Sequence, residues 1–160
     1  MSETLLGRPA PEFSATTHTG EPIRLSDFRG EKIVVLFFYP RDGTPVCTKE
    51  ACAFRDHYEQ FSETGAQVIG VSSSGENSHR TFADRYHLPF PLISDHDGAL
   101  RRAFGVPKTL GFLPGRVTYV IDKEGIVRME FNALMTADRH VSEALNVVRK
   151  LGDGSGRFEI

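Results

Sequence analysis

The run from Ile33 to Tyr39, I-V-V-L-F-F-Y, constrains this chain more than any other stretch. It is apolar or aromatic throughout and lacks the in–out alternation of a strand with one wet face. A run this short, bounded by Lys32 and Pro40, is the signature of a strand buried on both faces. Such a strand needs a covering layer on each side, which makes it the centre of an α/β sheet. Its carboxyl end leads directly into Tyr39 to Cys52, Y-P-R-D-G-T-P-V-C-T-K-E-A-C, which holds the only two cysteines of the chain. In open α/β sheets, active sites gather beyond the carboxyl ends of the strands.

The other elements fall in order around this strand. Residues 1–12 are polar and proline-rich and read as an extended segment. Thr19-Gly20 marks a hairpin turn, with Ile23 and Leu25 alternating after it, and Gly30 closes a short turn begun at Ser26. Pro45 to Ser62 reads as one helix, because Ala51, Phe54, Tyr58 and Phe61 recur at spacings of three and four. Gln67 to Ser72 is a second buried strand, completing a βαβ unit whose crossover should be right-handed. An amphipathic helix over about Ser78 to Tyr86 follows, then a short strand near Ile93 and one or two helical turns from Ala99 to Phe104. Lys108 to Gly115 reads as an apolar, glycine-bearing loop. Arg116 to Asp122 and Ile126 to Phe131 form a hairpin about Lys123-Glu124-Gly125. Asp138 to Leu151 is a last amphipathic helix through Val141, Leu145 and Val148, and 152–160 a loose tail. The order predicts a single domain over residues 1–160. It is an α/β fold with a mixed central sheet of about five core strands flanked by helices, and an N-terminal hairpin extension.

Bulk properties narrow the function classes. At 160 residues, 39% hydrophobic and 25% charged, the chain has the composition of a soluble globular protein. A net charge of -2 without a basic block argues against nucleic acid or an anionic membrane as a partner. The longest apolar run is far too short to span a bilayer, and Met1 to Gly7 lacks the regions of a signal peptide. The expected location is cytoplasmic, the alternative being an organelle-targeted protein after removal of its transit peptide. Two cysteines in a chain of this size are not a disulfide framework, and the six histidines form no metal pattern. His57 extends the cysteines as C-x4-C-x4-H, but three side chains at divergent angles on one helix do not converge on zinc.

Thr44 is a candidate N-cap and Pro45 the first helical residue, so Cys47 falls in the first turn of a helix. A free thiol titrates at about 8.5, and only a few per cent is thiolate at pH 7. The unpaired N–H groups of a first turn and the positive end of the helix dipole favour the anion, and a nearby guanidinium would add to them. The same donors would stabilise the negative oxygen formed when a thiolate attacks a peroxide. Thr44 can place a hydroxyl beside the reacting atoms, Pro45 stiffens the turn, and Pro40 could shield the sulfur. In the plainer reading, Thr44-Pro45 is an ordinary cap and Cys47 a small buried residue. Five residues along a helix put Cys52 at a Cα distance of roughly 8–9 Å from Cys47, beyond the ~7 Å limit for a disulfide. A bond between them would require the first turns of the helix to unwind.

Pro40-x-x-x-Thr44-x-x-Cys47 resembles the active-site signature of the peroxiredoxins. The run T-P-V-C-T-K-E-A-C-A-F-R-D, the opening G-x-P-A-P-x-F, the F-F-Y-P strand end and the late L-P-G-R-V-T-Y-V-I-D-K-E-G are similar to the bacterioferritin-comigratory-protein or Q-type branch, over essentially residues 5–150. The resemblance implies a thioredoxin-like fold and a cofactor-free thiol peroxidase that reduces hydrogen peroxide and organic hydroperoxides and is recycled by thioredoxin. By position it implies Cys47 as the peroxidatic cysteine, Cys52 as the resolving cysteine, and Thr44 as the residue that hydrogen-bonds the peroxide. Arg116 becomes the group that stabilises the thiolate, where an arginine at a strand start otherwise reads as half of a surface ion pair. Glu50 would hold Arg116, Pro40, Pro45 and Val46 would line the pocket, and the molecule would be a monomer. Val46 stands where the branch commonly has glycine, and Gly43, where it commonly has an acidic residue, would make the loop more flexible.

The residues leave rival readings. A thiol–disulfide oxidoreductase would normally carry C-x-x-C, and this chain has C-x4-C. A redox-gated chaperone-like module would use the cysteines only to control surface exposure, and a zinc-binding interaction module is a third.

Overall fold

In the computed structural model, which describes residues 4–109, 113–133 and 136–152, the apolar run forms a strand buried at every position, Ile33–Phe38. It is the third strand, β3, after an antiparallel hairpin of β1 (Ser14–Thr16) and β2 (Pro22–Arg24). The cysteine loop then leads into α1 (Pro45–Asp56), followed by α2 (Tyr58–Glu63), β4 (Ala66–Ser72), α3 (Glu76–Tyr86), β5 (Leu92–Ser94) and α4 (Ala99–Phe104). A minimal hairpin of β6 (Lys108–Thr109) and β7 (Leu113–Pro114) precedes β8 (Val117–Ile121), β9 (Val127–Asn132) and α5 (Ala137–Gly152).

Five strands form the mixed central sheet, in the order β5-β4-β3-β8-β9. β3 lies at its middle, parallel to β4 (Val35 opposite Val68) and antiparallel to β8 (Leu36 opposite Tyr119). Because side chains alternate along a strand, Ile33, Val35 and Phe37 enter one apolar layer, shared with Phe54 of α1, Phe61 of α2 and Val141 of α5. Val34, Leu36 and Phe38 enter the other, shared with Ile23 of β2 and Leu100 and Phe104 of α4. Both faces are therefore dry, which is why the run shows no alternation.

Phe37 fixes where α1 sits. Its ring stacks on Phe54 at 4.5 Å between centroids. It also lies across Gly70 of β4, where an added Cβ would meet the Phe37 ring at 2.9 Å and Leu92 at 2.8 Å. Glycine at position 70 leaves room for the ring that seats the helix.

Two expectations are corrected. The helix expected over 45–62 is two helices meeting at His57, whose φ of -105° and ψ of 10° leave the helical range. The apolar stripe runs on through the break, since Ala51, Phe54 and Phe61 are all buried. The loop expected over 108–115 contains the two-residue pairing of β6 with β7, while 110–112 lie outside the described residues. Gly152 ends α5, and residues 153–160 of the expected loose tail also lie outside the described residues.

Candidate active site

Thr44 occupies the N-cap position with an extended backbone, φ -76° and ψ 154°. Pro45 is the first helical residue and is exposed; Val46 is half-buried and Cys47, third in the helix, is buried. The Thr44 hydroxyl does not cap the helix as expected; it donates to the carbonyl of Arg41 at 3.0 Å. The first-turn N–H groups of α1 are thus left without a side-chain cap. Pro40 is half-buried where the loop leaves β3.

Arg116 reaches the sulfur from the residue just before β8. Its Nη2 donates to Cys47 Sγ at 3.3 Å and its Nη1 to Glu50 Oε1 at 2.6 Å, with Arg116 only 3% exposed and Glu50 fully buried. The chain approaches Arg116 through Gly115, where the carbonyl of Pro107 occupies the place a Cβ would need. Burial works against the charge on Arg116, but Glu50 and Cys47 beside it outweigh burial and hold it more firmly protonated. Burial pushes the Glu50 carboxyl up to about 7, even with Arg116 pulling it down.

Behind Glu50 lies His140 of α5, with Nδ1 at 3.5 Å from Glu50 Oε2 and at 2.7 Å from the Thr118 hydroxyl. The other ring nitrogen, Nε2, lies 2.6 Å from the carbonyl of Ala133. Burial pushes His140 down to about 4; the Ala133 carbonyl opposes this and the charge of Arg116 adds to it.

A second polar cluster holds the other end of the loop. Asp42 Oδ1 accepts from the Tyr39 hydroxyl at 2.6 Å, and Oδ2 from Ser78 at 2.8 Å and from His79 Nδ1 at 2.7 Å. His79 Nε2 lies 3.0 Å from the carbonyl of Ile93, and the Asp42 N–H donates to Ser74. Burial, followed by the Asp42 charge, raises the Tyr39 hydroxyl well above its ordinary value.

Cys52 lies five residues beyond Cys47 in the same unbroken helix, half-buried, and both thiols are free. Burial pushes the Cys52 thiol up; Arg55 opposes this and Asp56 adds to it.

The fold thus brings Cys47, Glu50 and Arg116 into contact, sets Thr44 one turn before the sulfur, and keeps Cys52 a turn and a half away. Asp42, His79, Thr118 and His140 were not among the expected site residues. His140 had a signal: it falls beside Val141 on the apolar stripe of α5, where a polar ring needs a buried partner.

The model of the AhpC/TSA family matches residues 6–130. The chain belongs to the AhpC/TSA family. This AhpC/TSA protein is 46% identical over 146 residues to a chloroplastic peroxiredoxin Q of Sedum lineare, covering 91% of this chain and 78% of the relative. Its fold superposes on the peroxidoxin BcpB of Mycobacterium tuberculosis with a TM-score of 0.84 and 37% identity, over 92% of this chain and 97% of that one. It also matches a bacterioferritin comigratory protein of Xanthomonas campestris, described for its alkyl peroxide reduction activity, at TM-score 0.81 and 29% identity, over 88% and 92% of the two chains. The mixed sheet flanked by helices is the thioredoxin-like fold of these peroxiredoxins. The protein is a thiol peroxidase that takes a peroxide as substrate and a thiol as reductant.

Proposed function

We propose that Cys47 is the peroxidatic nucleophile of a single-domain, monomeric enzyme that reduces hydrogen peroxide and organic hydroperoxides. The observation that carries this reading is the guanidinium N–H of Arg116 at 3.3 Å from Cys47 Sγ, in the uncapped first turn of α1. A cation held there binds a thiolate more strongly than a thiol. In the first step the Cys47 thiolate attacks the terminal peroxide oxygen. The O–O bond breaks, Cys47 becomes a sulfenic acid, and the leaving oxygen takes a proton to depart as water or alcohol. Thr44, its hydroxyl proton committed to the Arg41 carbonyl, offers its oxygen as acceptor to the O–H of the hydroperoxide. Arg116 stabilises charge on the leaving oxygen, and Glu50 holds Arg116 in place. Pro40, Pro45 and Val46 form the pocket wall in this reading, although nothing in the structure explains valine at 46.

Cys52 is the resolving thiol. Its attack on the sulfenic acid forms the Cys47–Cys52 disulfide and releases water, after which an external dithiol protein, thioredoxin, returns both thiols. The regular helix keeps the two Cα atoms roughly 8–9 Å apart, so the opening turns of α1 unwind for this step. The cycle suits the reducing cytoplasm or an organelle stroma. Peroxide turnover with thioredoxin and its reductase tests the assignment. Cys47→Ser should lose peroxide consumption, whereas Cys52→Ser should keep one fast turnover and lose cycling. Normal rates in Cys47→Ser would overturn it. The unwinding step fails if amide exchange over residues 45–53 is equally slow in reduced and oxidised protein.

A further inference from the structure

The polar contacts around Arg116 close into a ring. Its side chain donates to Glu50 on α1; Glu50 faces His140 on α5; His140 is bonded to the carbonyl of Ala133; and the Ala133 N–H returns to the carbonyl of Arg116 at 3.3 Å. Proton placement in this ring is constrained. The Ala133 carbonyl can only accept, so Nε2 of His140 carries hydrogen. In the neutral ring that burial favours, Nδ1 carries no hydrogen, and its single lone pair is filled by the Thr118 hydroxyl, which donates to it. Across 3.5 Å from Nδ1 lies Glu50 Oε2, buried and without a hydrogen bond among the described residues. An ionised carboxylate there would set a lone pair against a lone pair. A neutral carboxylic acid removes that repulsion, and neither Nδ1 nor Thr118 offers Oε2 a donor that would favour the anion.

We propose that His140 is a positioning residue for Arg116: with Thr118 it holds one proton on the Glu50 carboxyl, leaving the guanidinium charge to Cys47. This inference rests on the reading of Cys47 and Arg116 given above. The 2.6 Å contact between Arg116 and Glu50 Oε1 favours an ionised carboxylate. Burial and the unprotonated Nδ1 act in the opposite direction, and Glu50 moves up to about 7 because burial is the larger effect. Among the described residues, the charged and titratable groups facing Glu50 are Arg116, just before β8, Cys47 from its own helix and His140 from α5; β9 contributes Phe131, edge-on to His140 at 4.8 Å. Once the proton leaves, two anions share one guanidinium, and its hold on the sulfur and on the leaving oxygen weakens.

The test is the stopped-flow rate of Cys47 oxidation by hydrogen peroxide from pH 5 to 9, divided by the thiolate fraction read from ultraviolet absorbance. In the wild type this quotient should fall as pH rises through about 7. His140→Phe should lower it about tenfold through misplacement of Arg116 and displace the fall in pH, with thermal melting near wild type. His140→Asn, whose amide reaches the place of Nδ1, should recover most of the rate. A folded His140→Phe with wild-type rate and pH profile overturns the inference. If His140→Phe does not fold, Thr118→Val is read instead, since it removes only the hydroxyl on Nδ1: a displaced fall supports the inference and an unchanged profile overturns it. Cys47→Ser, run alongside, separates the two readings. If it is inactive while the His140 variants behave as wild type, only the role of His140 fails.

Discussion

Two buried carboxylate–histidine pairs flank the start of α1, and they are finished differently. In the Asp42–His79 pair both carboxylate oxygens are bonded, to Tyr39, Ser78 and His79, and both ring nitrogens are engaged. In the Glu50–His140 pair one carboxylate oxygen has no hydrogen-bond partner among the described residues, and the nearest ring nitrogen stands at 3.5 Å. A satisfied network rigidifies; an unsatisfied buried polar atom in an otherwise well-packed site marks a place where something changes. The loop to Cys47 is thus pinned behind by a finished cluster and met in front by one with a place for a proton. If α1 unwinds as proposed, its fixed end lies at Asp42.

The largest effect expected from this contrast is on stability at the finished pair. Asp42→Ala leaves His79 and Tyr39 buried without their acceptor. Breaking a buried pair by removing one member costs about 3–5 kcal/mol. Urea denaturation should show a loss of that size, and a loss within error would mean that Asp42 does not anchor the loop in solution.

At the unfinished pair the effect should appear as a dependence on pH. Folded Glu50 keeps, up to about 7, a proton that the unfolded chain releases near its ordinary 4.5. Its contribution to stability is full below about 4.5 and is lost as pH rises to about 7. Folded His140 refuses, down to about 4, a proton that the unfolded chain takes up near 6.5, so its contribution grows as pH rises from about 4 to 6.5. The two slopes oppose each other across the shared window and should leave the wild type nearly flat. Glu50→Gln removes the first slope, and stability should then rise on the order of 2–3 kcal/mol between the two ends of the window. His140→Phe removes the second, and stability should fall over the same range. Denaturation midpoints at pH 4.5 and 6.5 check both. A steep slope in the wild type would mean that only one of the two groups is displaced.

The sheet centre was legible because covering β3 on both faces erases its alternation. The break at His57 was not, since Ala51, Phe54 and Phe61 keep their helical spacing across it. β6 and β7 have two residues each, too few to carry a period. At the site, Cys47 and Thr44 were marked by the helix start, but Arg116 and Glu50 depended on family resemblance. An arginine opening a strand looks exposed until its partner, 66 residues earlier, is in place. Thr118 in V-T-Y-V-I shares the dry face of Val120 and is fully buried. Its partner lies 22 residues on, and that of Asp42 37 residues on, separations at which a single sequence leaves no spacing to read.

The smallest effect belongs to Gly43, the residue after the finished pair and immediately before Thr44. Its φ of 80° places it in the left-handed region, where glycine is unstrained. An added Cβ would meet nothing within 4 Å, so backbone strain is the whole cost of a side chain. Gly43→Ala should therefore destabilise by about 1 kcal/mol, and Gly43→Asn by less, because asparagine tolerates this conformation. Both should leave the midpoint of the Asp42→Ala variant unchanged relative to its own parent if Asp42 alone holds the turn, since without the anchor the strained conformation is no longer enforced. A full 1 kcal/mol penalty for alanine in the Asp42→Ala background would show that the left-handed turn is set by the first turn of α1. The fixed end of the unwinding segment would then lie at Thr44 rather than at the carboxylate.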